Sequence, residues 1–230
     1  MMYRREDKYH LGAQEMDLLE ARVRLFFGKD PHAGDSGSYH VSSLYFDDHQ
    51  DRCFHEALRG EAFRRKYRIR IYENSFKEAK LEIKEKLYQG TKKISSPMEK
   101  NEIKALIGGE IFGLNADDEA RRIFYLDYET GILRPSVIVS YDRSAYIYEP
   151  GNVRITFDRN ITASSDFERF GKKKMIRSAL DGSGVLEVKY DEFLPEFAAR
   201  LLETGNMLRV SNSKYVLCRI ALDKKERISL

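Results

Sequence analysis

Two stretches of the chain alternate between charged and apolar side chains, and this alternation restricts the folds that the chain can adopt. In residues 63–72 the alternate basic positions are Arg64, Lys66, Arg68 and Arg70. In residues 79–87 the alternate charged positions are Lys80, Glu82, Lys84 and Lys86. Successive side chains of a β-strand point to opposite faces, so each stretch predicts a strand with one charged and one apolar face.

The charged faces allow two interpretations. A solvated sheet face above a core explains one half-polar strand, and many antiparallel sheets are built in this way. Repeated like charges repel one another across a sheet, however, so several cationic strands favour a surface that binds a polyanion. Residues 64–93 contain eleven basic and four acidic residues, whereas the whole chain has 40 basic and 37 acidic residues. The positive charge is therefore local, as expected for an anion-binding patch rather than a uniformly basic nucleic-acid-binding surface.

The remaining periodicity predicts more strands than helices. Further strands are expected at residues 3–10, 40–47, 137–143, 153–158 and 185–190. Helices are expected at 13–27, 99–108 and 116–130, from Pro195 onwards and at 214–222. Because no repeat or dividing linker is found, residues 1–230 are predicted to form a single domain. The predicted fold class is α+β, with an antiparallel β-barrel tunnel of about eight strands and helices packed on its outside.

Composition and motifs exclude several classes of protein. The chain is 42% hydrophobic and 12% aromatic, which is enough for a core, and it has no apolar run long enough to span a membrane. Its first residues contain no hydrophobic signal region, so a cytoplasmic protein without membrane insertion is predicted. The glycine motifs of P-loop, Rossmann and serine-hydrolase sites are absent. Cys53 and Cys218 match no metal-binding spacing and are predicted to be buried or half-buried thiols.

A tunnel lined by lysine and arginine would suit a chain of phosphates, because guanidinium groups make paired hydrogen bonds to phosphate oxygens. Carboxylates in such a tunnel would have another role. Glu187, or Glu6 on the first strand, could hold Mg²⁺ or Mn²⁺, since both ions prefer oxygen ligands. A salt bridge to a neighbouring lysine is the alternative role for each glutamate.

Eight short segments, in order along the chain, resemble the VTC-type polyphosphate polymerase domain of the CYTH-like triphosphate tunnel metalloenzymes. The segments are residues 8–9, 43–47, 68–72, 81–84, 141–145, 153–158, 186–189 and 213–215. Each segment alone is a weak signal, but their common order is specific. The resemblance covers residues 3–222.

The resemblance implies a tunnel in which basic residues bind triphosphate or polyphosphate and a glutamate holds Mn²⁺ or Mg²⁺. Relatives of the polymerase type transfer the γ-phosphate of ATP to a growing polyphosphate chain. The phosphate-binding residues implied in this chain are Lys8, Arg68, Arg70, Lys84, Arg143, Arg154, Lys189, Ser213 and Lys214. Either Lys92 or Lys93 is expected to add one further contact. Glu187 is the implied metal ligand, with Glu6 as a second candidate.

Two departures from the family pattern bear on function. Ser211 stands where the polymerase pattern has another basic residue before the Ser213-Lys214 pair. The Glu-x-Glu-x-Lys strand of the wider superfamily is Arg-Arg-Glu-Asp-Lys in residues 4–8, with one carboxylate in place of two, which resembles the polymerase branch more than the hydrolytic one.

The predicted function is therefore ATP-dependent polyphosphate synthesis, with ATP and inorganic polyphosphate as partners and no nucleic acid. A tunnel phosphohydrolase that acts on inorganic triphosphate or nucleoside triphosphates is the first alternative. A polyphosphate-binding module without catalytic activity is the second. Any link to a membrane would require a membrane-protein partner. The oligomeric state is not predicted.

Overall fold

The computed structural model describes residues 4–34, 37–88, 90–110, 118–130, 132–172, 182–203 and 213–228. Its nine strands are β1 (Arg4–Leu11), β2 (Gly28–Lys29), β3 (Ser38–Asp47), β4 (Phe63–Tyr72), β5 (Ser75–Leu87), β6 (Gly90–Pro97), β7 (Arg134–Tyr148), β8 (Val153–Ser164) and β9 (Gly184–Asp191). Its six helices are α1 (Ala13–Phe26), α2 (Arg52–Arg59), α3 (Lys100–Gly108), α4 (Glu119–Glu129), α5 (Glu196–Leu201) and α6 (Lys214–Ile228). The predicted α+β class is confirmed.

The strands form one antiparallel sheet with nine strands, compared with about eight predicted. They are hydrogen-bonded in the order β1-β9-β8-β7-β3-β4-β5-β6, and β2 pairs with β7. Within the described part of the chain, this order is an open path with β1 and β6 at its ends rather than a closed ring of paired strands.

The chain divides into two compact units. Unit 1 contains Met1–His40, Tyr141–Ile161 and Leu180–Ser211, and unit 2 contains Val41–Ser140, Thr162–Ala179 and Asn212–Leu230. Each unit has its own apolar core. That residues 1–230 form a single domain stays a prediction.

The core of unit 1 explains why one face of its strands is charged. Ile155 and Phe157 of β8 and Leu186 and Val188 of β9 are buried on the same face of the sheet. Helix α1 covers this face with Met16, Leu19 and Val23, which are spaced so that they lie on one side of the helix. The intervening positions of these strands therefore project from the opposite face.

The core of unit 2 confirms that the strands predicted at residues 63–72 and 79–87 have one buried apolar face. Ile69 of β4 and Leu81 and Ile83 of β5 are fully buried. Helices α3 and α4 pack against them through residues such as Ile103 and Phe124. The basic residues between these apolar positions consequently share the other face of the sheet.

Three elements were not predicted from the sequence: the two-residue strand β2, helix α2 and strand β6. Helix α2 begins after Asp47, whose carboxylate accepts hydrogen bonds from the backbone N–H groups of Cys53 and Phe54 at 2.8 and 2.9 Å. Strand β6 pairs with β5 at the end of the strand order, and polar residues occupy both of its faces. An edge strand of this kind carries no clear period of two, which explains why the pattern did not reveal it.

The two cysteines are free and buried, as predicted. Within the described ranges, no helix is both long and apolar enough to cross a membrane. The cytoplasmic location stays a prediction.

Candidate phosphate-binding site

The central basic residues of unit 2 are Arg68 and Arg70 of β4. Both side chains are held by polar residues on the neighbouring strands. Arg68 lies between Tyr45 of β3 and Glu82 of β5 in the strand register. Its Nε and Nη2 atoms both lie 2.6 Å from Glu82 Oε2, and its Nη1 donates to the Tyr45 hydroxyl at 3.0 Å. The Arg70 Nε donates to Ser43 Oγ at 3.3 Å. The two guanidinium groups are thus fixed before any ligand binds.

Glu82 is a buried carboxylate within this basic surface. Only 4% of its surface is exposed, and it also forms an ion pair with Lys93 and lies 3.9 Å from Arg70 Nη1. Burial alone would raise the pKa of Glu82, but the surrounding positive charges outweigh burial and lower the pKa to about 2. Glu82 is therefore ionised at neutral pH and offsets part of the local positive charge. We call this face of β3–β6, with Arg68, Arg70, Glu82, Lys84 and Lys93, the basic face.

The pairing of β6 with β5 places Lys92 and Lys93 on opposite faces of the sheet. Lys93 is directly opposite Lys84 of β5, so both lysines project from the basic face. Lys92 is opposite Glu85 on the other face, and its Nζ donates to Glu119 of α4 at 2.8 Å. The sequence left the choice between Lys92 and Lys93 open. Of the two, only Lys93 lies on the same face of the sheet as the other basic residues.

The start of α6 also contacts the basic face. The Nζ of Lys66, on the same face of β4 as Arg68, donates to Ser213 Oγ at 2.8 Å. The ring of Tyr45 stacks on Tyr215 with 4.9 Å between ring centres. Burial alone would raise the pKa of Tyr45, but the charges of Arg68, Arg70 and Lys214 lower it. Ser211, where the family pattern has a basic residue, lies outside the described residues.

Unit 1 presents a second charged face, formed by β1, β9 and β8. Two rows of opposite residues cross these strands, and opposite residues in antiparallel strands project from the same face. The first row is Glu6, Lys189 and Arg154. The second row is Lys8, Glu187 and Thr156. We call these six residues the unit 1 polar face. It contains five of the residues predicted from the sequence, and Thr156 is the exception.

Both predicted metal-binding glutamates have lysine partners on their own strands. Glu6 Oε1 lies 2.6 Å from Lys8 Nζ, and Glu187 Oε1 lies 2.7 Å from Lys189 Nζ. Glu187 is buried, with 6% of its surface exposed. Each lysine therefore holds a carboxylate in place and adds positive charge beside it.

The two predicted arginines of unit 1 are fixed by aspartates that were not predicted as site residues. Arg143 Nε and Nη2 donate to the two carboxylate oxygens of Asp158 at 2.6 and 2.8 Å, and both residues are buried. Burial would lower the pKa of Arg143, but Asp158 outweighs burial and raises it. Arg154 Nε and Nη2 donate to Asp30 Oδ2 at 3.0 and 2.8 Å. Burial would raise the pKa of Asp30, but hydrogen bonds from His32 and Arg154 lower it.

The donor atoms around Glu187 fit a hard divalent cation. Thr156, directly opposite Glu187, is buried, and among the described residues its Oγ1 atom has no hydrogen-bond partner. A carboxylate and a hydroxyl are oxygen donors of the kind that Mg²⁺ and Mn²⁺ bind, usually together with phosphate oxygens and water. Within the described ranges, no group of three or more His, Cys, Asp or Glu side chains is close enough to hold a metal ion.

A family model provides the identification. The model of the VTC domain matches residues 3–222 of the chain. The chain belongs to the VTC domain family. A search of curated proteins finds no significant sequence match.

Two solved structures are similar to this VTC domain. A protein from Hippeastrum is 13% identical, with 96% of each chain covered and a TM-score of 0.55. A protein from Pyrococcus horikoshii OT3 is 17% identical, with 96% of this chain and 99% of that chain covered and a TM-score of 0.49. The match to the Hippeastrum protein shows a shared fold.

Most of the predicted site residues of the VTC domain thus lie on strands that hold them in fixed positions. In unit 2 the structure brings together Arg68, Arg70, Lys84 and Lys93 on the basic face, with Ser213 and Lys214 at the start of α6. In unit 1 it brings together Lys8, Lys189, Arg154, Glu6 and Glu187. Membership of this family supports a function in polyphosphate or triphosphate chemistry.

Sequence reasoning missed the residues that hold these cations, and it also missed Thr156. Ser43, Tyr45, Glu82, Thr156 and Asp158 all belong to the segments that resemble the family, at alternating positions that place them on charged faces. Strand periodicity could therefore have found them. Asp30 follows β2 in a loop and carries no such signal.

Proposed function

We propose that this VTC domain is an ATP-dependent polyphosphate polymerase. A terminal oxygen of the polyphosphate chain attacks the γ-phosphorus of ATP, the bond between the γ-phosphorus and the bridging oxygen breaks, and ADP leaves. The observation that carries the proposal is the VTC family match over residues 3–222. Phosphate binding by basic residues supports it, because phosphoryl transfer depends mainly on alignment and on stabilisation of negative charge.

Arg68 and Arg70 have the chemistry for binding the phosphates. A guanidinium group binds phosphate oxygens through charge-assisted hydrogen bonds, and Arg binds in a paired geometry that Lys cannot match. The contacts of Arg68 with Glu82 and Tyr45 keep its guanidinium in one orientation. An orientation fixed in advance lowers the cost of aligning the reacting groups.

Glu187 is the residue in this proposal that binds Mn²⁺ or Mg²⁺. When bound, the ion neutralises charge on the phosphoryl oxygens. Lys189 keeps the Glu187 carboxylate in place through the ion pair at 2.7 Å. Lys8, opposite Glu187 on β1, supplies positive charge for the phosphates on the same face.

The arrangement of β1 favours synthesis over hydrolysis. Glu6 and Lys8 share the unit 1 polar face, whereas Asp7 is buried and accepts a hydrogen bond from the Tyr190 hydroxyl at 2.9 Å. Asp7 therefore does not replace the first carboxylate of the Glu-x-Glu-x-Lys pattern, where this chain has Arg4. Hydrolysis requires a positioned water molecule, often with a carboxylate base, whereas the end of a phosphate chain is already a charged nucleophile.

A triphosphatase is the second candidate function. The Hippeastrum protein that shares this fold is described as having a dominant triphosphatase activity. The basic face of unit 2 would bind inorganic triphosphate through the same arginines.

The two functions differ in their products. The test incubates the purified chain with ATP and Mn²⁺, with and without a short polyphosphate primer, and measures chain length, ADP and orthophosphate. The polymerase produces long chains and ADP, and the Arg68→Ala/Arg70→Ala double variant produces neither. Orthophosphate without chains would establish the triphosphatase instead. Tight binding of polyphosphate without any product would indicate a binding module.

A further inference from the structure

Two buried polar side-chain atoms of the described residues have no hydrogen-bond partner, Thr156 Oγ1 and Tyr125 Oη. Tyr125 belongs to the apolar core of unit 2. Thr156 lies on the unit 1 polar face, among charged residues, with 2% of its surface exposed. A buried hydroxyl without a partner is unfavourable, and in native proteins such groups are usually paired with protein, water or an ion. The position of Thr156 therefore indicates a bound group that contacts its hydroxyl.

The neighbours of Thr156 identify the chemistry of that group. Glu187 is directly opposite on β9, and Lys8 is opposite Glu187 on β1. Opposite Cβ atoms of an antiparallel pair are about 4.5–5.5 Å apart, so the Thr156 and Glu187 side chains can contact one small ligand. The charged residues that flank Thr156 on β8 are both engaged, Arg154 with Asp30 and Asp158 with Arg143. Arg143 occupies both carboxylate oxygens of Asp158, whereas Lys189 contacts Glu187 at Oε1. Glu187, directly opposite Thr156, is therefore the carboxylate beside the hydroxyl.

We propose that Thr156 Oγ1 is an oxygen ligand of the divalent cation bound by Glu187. This inference rests on the proposed function. The hydroxyl oxygen has two lone pairs and is a neutral hard donor, which suits Mn²⁺ and Mg²⁺. A neutral second ligand has an advantage over a second carboxylate at this position. It leaves more of the positive charge of the ion available to the phosphate oxygens of an anionic substrate.

The test measures Mn²⁺ binding to the full chain by isothermal titration calorimetry, without nucleotide. Thr156→Val keeps the shape of the side chain and removes the hydroxyl, and Thr156→Ser keeps the hydroxyl. We expect the valine variant to bind Mn²⁺ at least about tenfold more weakly and the serine variant to stay within about threefold of the wild type. If Thr156→Val does not fold, Thr156→Ala is measured instead. Alanine also removes the hydroxyl but adds no methyl group at its position.

Thermal unfolding in the absence of metal separates a ligand from a structural hydroxyl. Valine removes an unpaired buried polar group, so Thr156→Val is expected to unfold at the same or a higher temperature than the wild type. A lower unfolding temperature would show that the hydroxyl has a structural partner and would overturn the proposal. Thr162→Val is the matched control on the same strand, because the Thr162 hydroxyl already donates to the Ser140 carbonyl at 3.4 Å. It is expected to leave Mn²⁺ affinity unchanged.

Glu187→Gln distinguishes failure of this inference from failure of the proposed metal site. Loss of Mn²⁺ binding in Glu187→Gln, with unchanged affinity in Thr156→Val, would show that Glu187 binds the ion without Thr156. Unchanged affinity in both variants would overturn the ligand role of both residues. The polymerase assay is a separate measurement, so neither result depends on product formation.

Discussion

Glu82 shows how a single carboxylate can stabilise a dense group of cations. Arg68, Arg70 and Lys93 surround it on the basic face, and it is almost fully buried. Without an acceptor among them, these three cations would repel one another across neighbouring strands. Glu82 reduces this repulsion and also fixes the Arg68 guanidinium, so its charge links the stability of the fold to the geometry of the site.

The lowered pKa of Glu82 predicts a pH-dependent contribution to stability. The ordinary pKa of 4.5 falls to about 2 in the folded chain, so the folded state favours the ionised form. The contribution is fully present above about pH 4.5 and is lost as the pH falls towards 2. We expect the difference in unfolding free energy between wild type and Glu82→Gln to reach up to about 3 kcal/mol at neutral pH and to shrink below pH 4.5.

Chemical denaturation at several pH values from 7 to 3 measures this difference. Glu119→Gln is the control, because the Glu119 side chain is 48% exposed and its ion pair with Lys92 lies at the surface. Exposed pairs contribute little, so this variant is expected to change stability by less than about 1 kcal/mol at every pH. A Glu82→Gln difference that stays constant from pH 7 to 3 would contradict the assignment.

At the scale of elements, the pairing of β6 with β5 determines which lysine belongs to the site. Lys93 and Lys92 are adjacent in sequence but project from opposite faces of the strand. We expect Lys93→Ala to weaken the binding of inorganic tripolyphosphate about three- to tenfold, because it removes a charge from the basic face. Lys92→Ala makes the same chemical change on the other face and is expected to leave the affinity unchanged.

Isothermal titration of both variants with tripolyphosphate at low salt provides the measurement. Equal losses in the two variants would mean that the lysines contribute only to the general charge of the chain. A larger loss in Lys92→Ala would contradict the strand register.

The sequence predicted those elements in which periodicity and burial agree. Strand β4 was predicted with its observed bounds, because the alternation of Tyr67, Ile69 and Ile71 with basic residues reflects a sheet with a single buried face. Strand β6 was missed because it is an edge strand with polar residues on both faces. Helix α2 was missed because backbone hydrogen bonds to the Asp47 carboxylate contribute to its start, and hydrophobic periodicity contains no information on such contacts.

For the candidate site, the sequence predicted the cations but not the residues that contact them. The cations on strands could be selected from alternation and family resemblance, whereas Lys214, at the start of α6, came from the resemblance alone. Their partners depend on which strands are neighbours: Arg68 contacts Glu82 across β4 and β5, and Arg154 contacts Asp30 from a loop 124 residues away in sequence. A single sequence without the strand order does not specify such contacts.

At the scale of the whole molecule, a small net charge conceals concentrated positive charge. The chain has a net charge of +3, yet each unit has a face with several cations. Buried carboxylates lie among these cations, Glu82 in unit 2 and Asp158 and Glu187 in unit 1. They offset repulsion while the fixed cations stay in position, which allows the protein to fold with its binding groups in place.

A bound polyanion should therefore stabilise the whole molecule beyond what the carboxylates supply. A ligand that binds only the folded chain adds about 2.7 kcal/mol when its concentration is one hundred times Kd. For a chain of this size, this corresponds to a rise of roughly 5–10 °C in Tm. We expect tripolyphosphate to produce such a shift and orthophosphate a much smaller one, because only the longer anion can contact several fixed cations.

Differential scanning calorimetry measures both shifts, and the tripolyphosphate shift is expected to decrease with added NaCl. In the Arg68→Ala/Arg70→Ala double variant the shift should largely disappear, and a shift equal to that of the wild type would show that tripolyphosphate binds elsewhere.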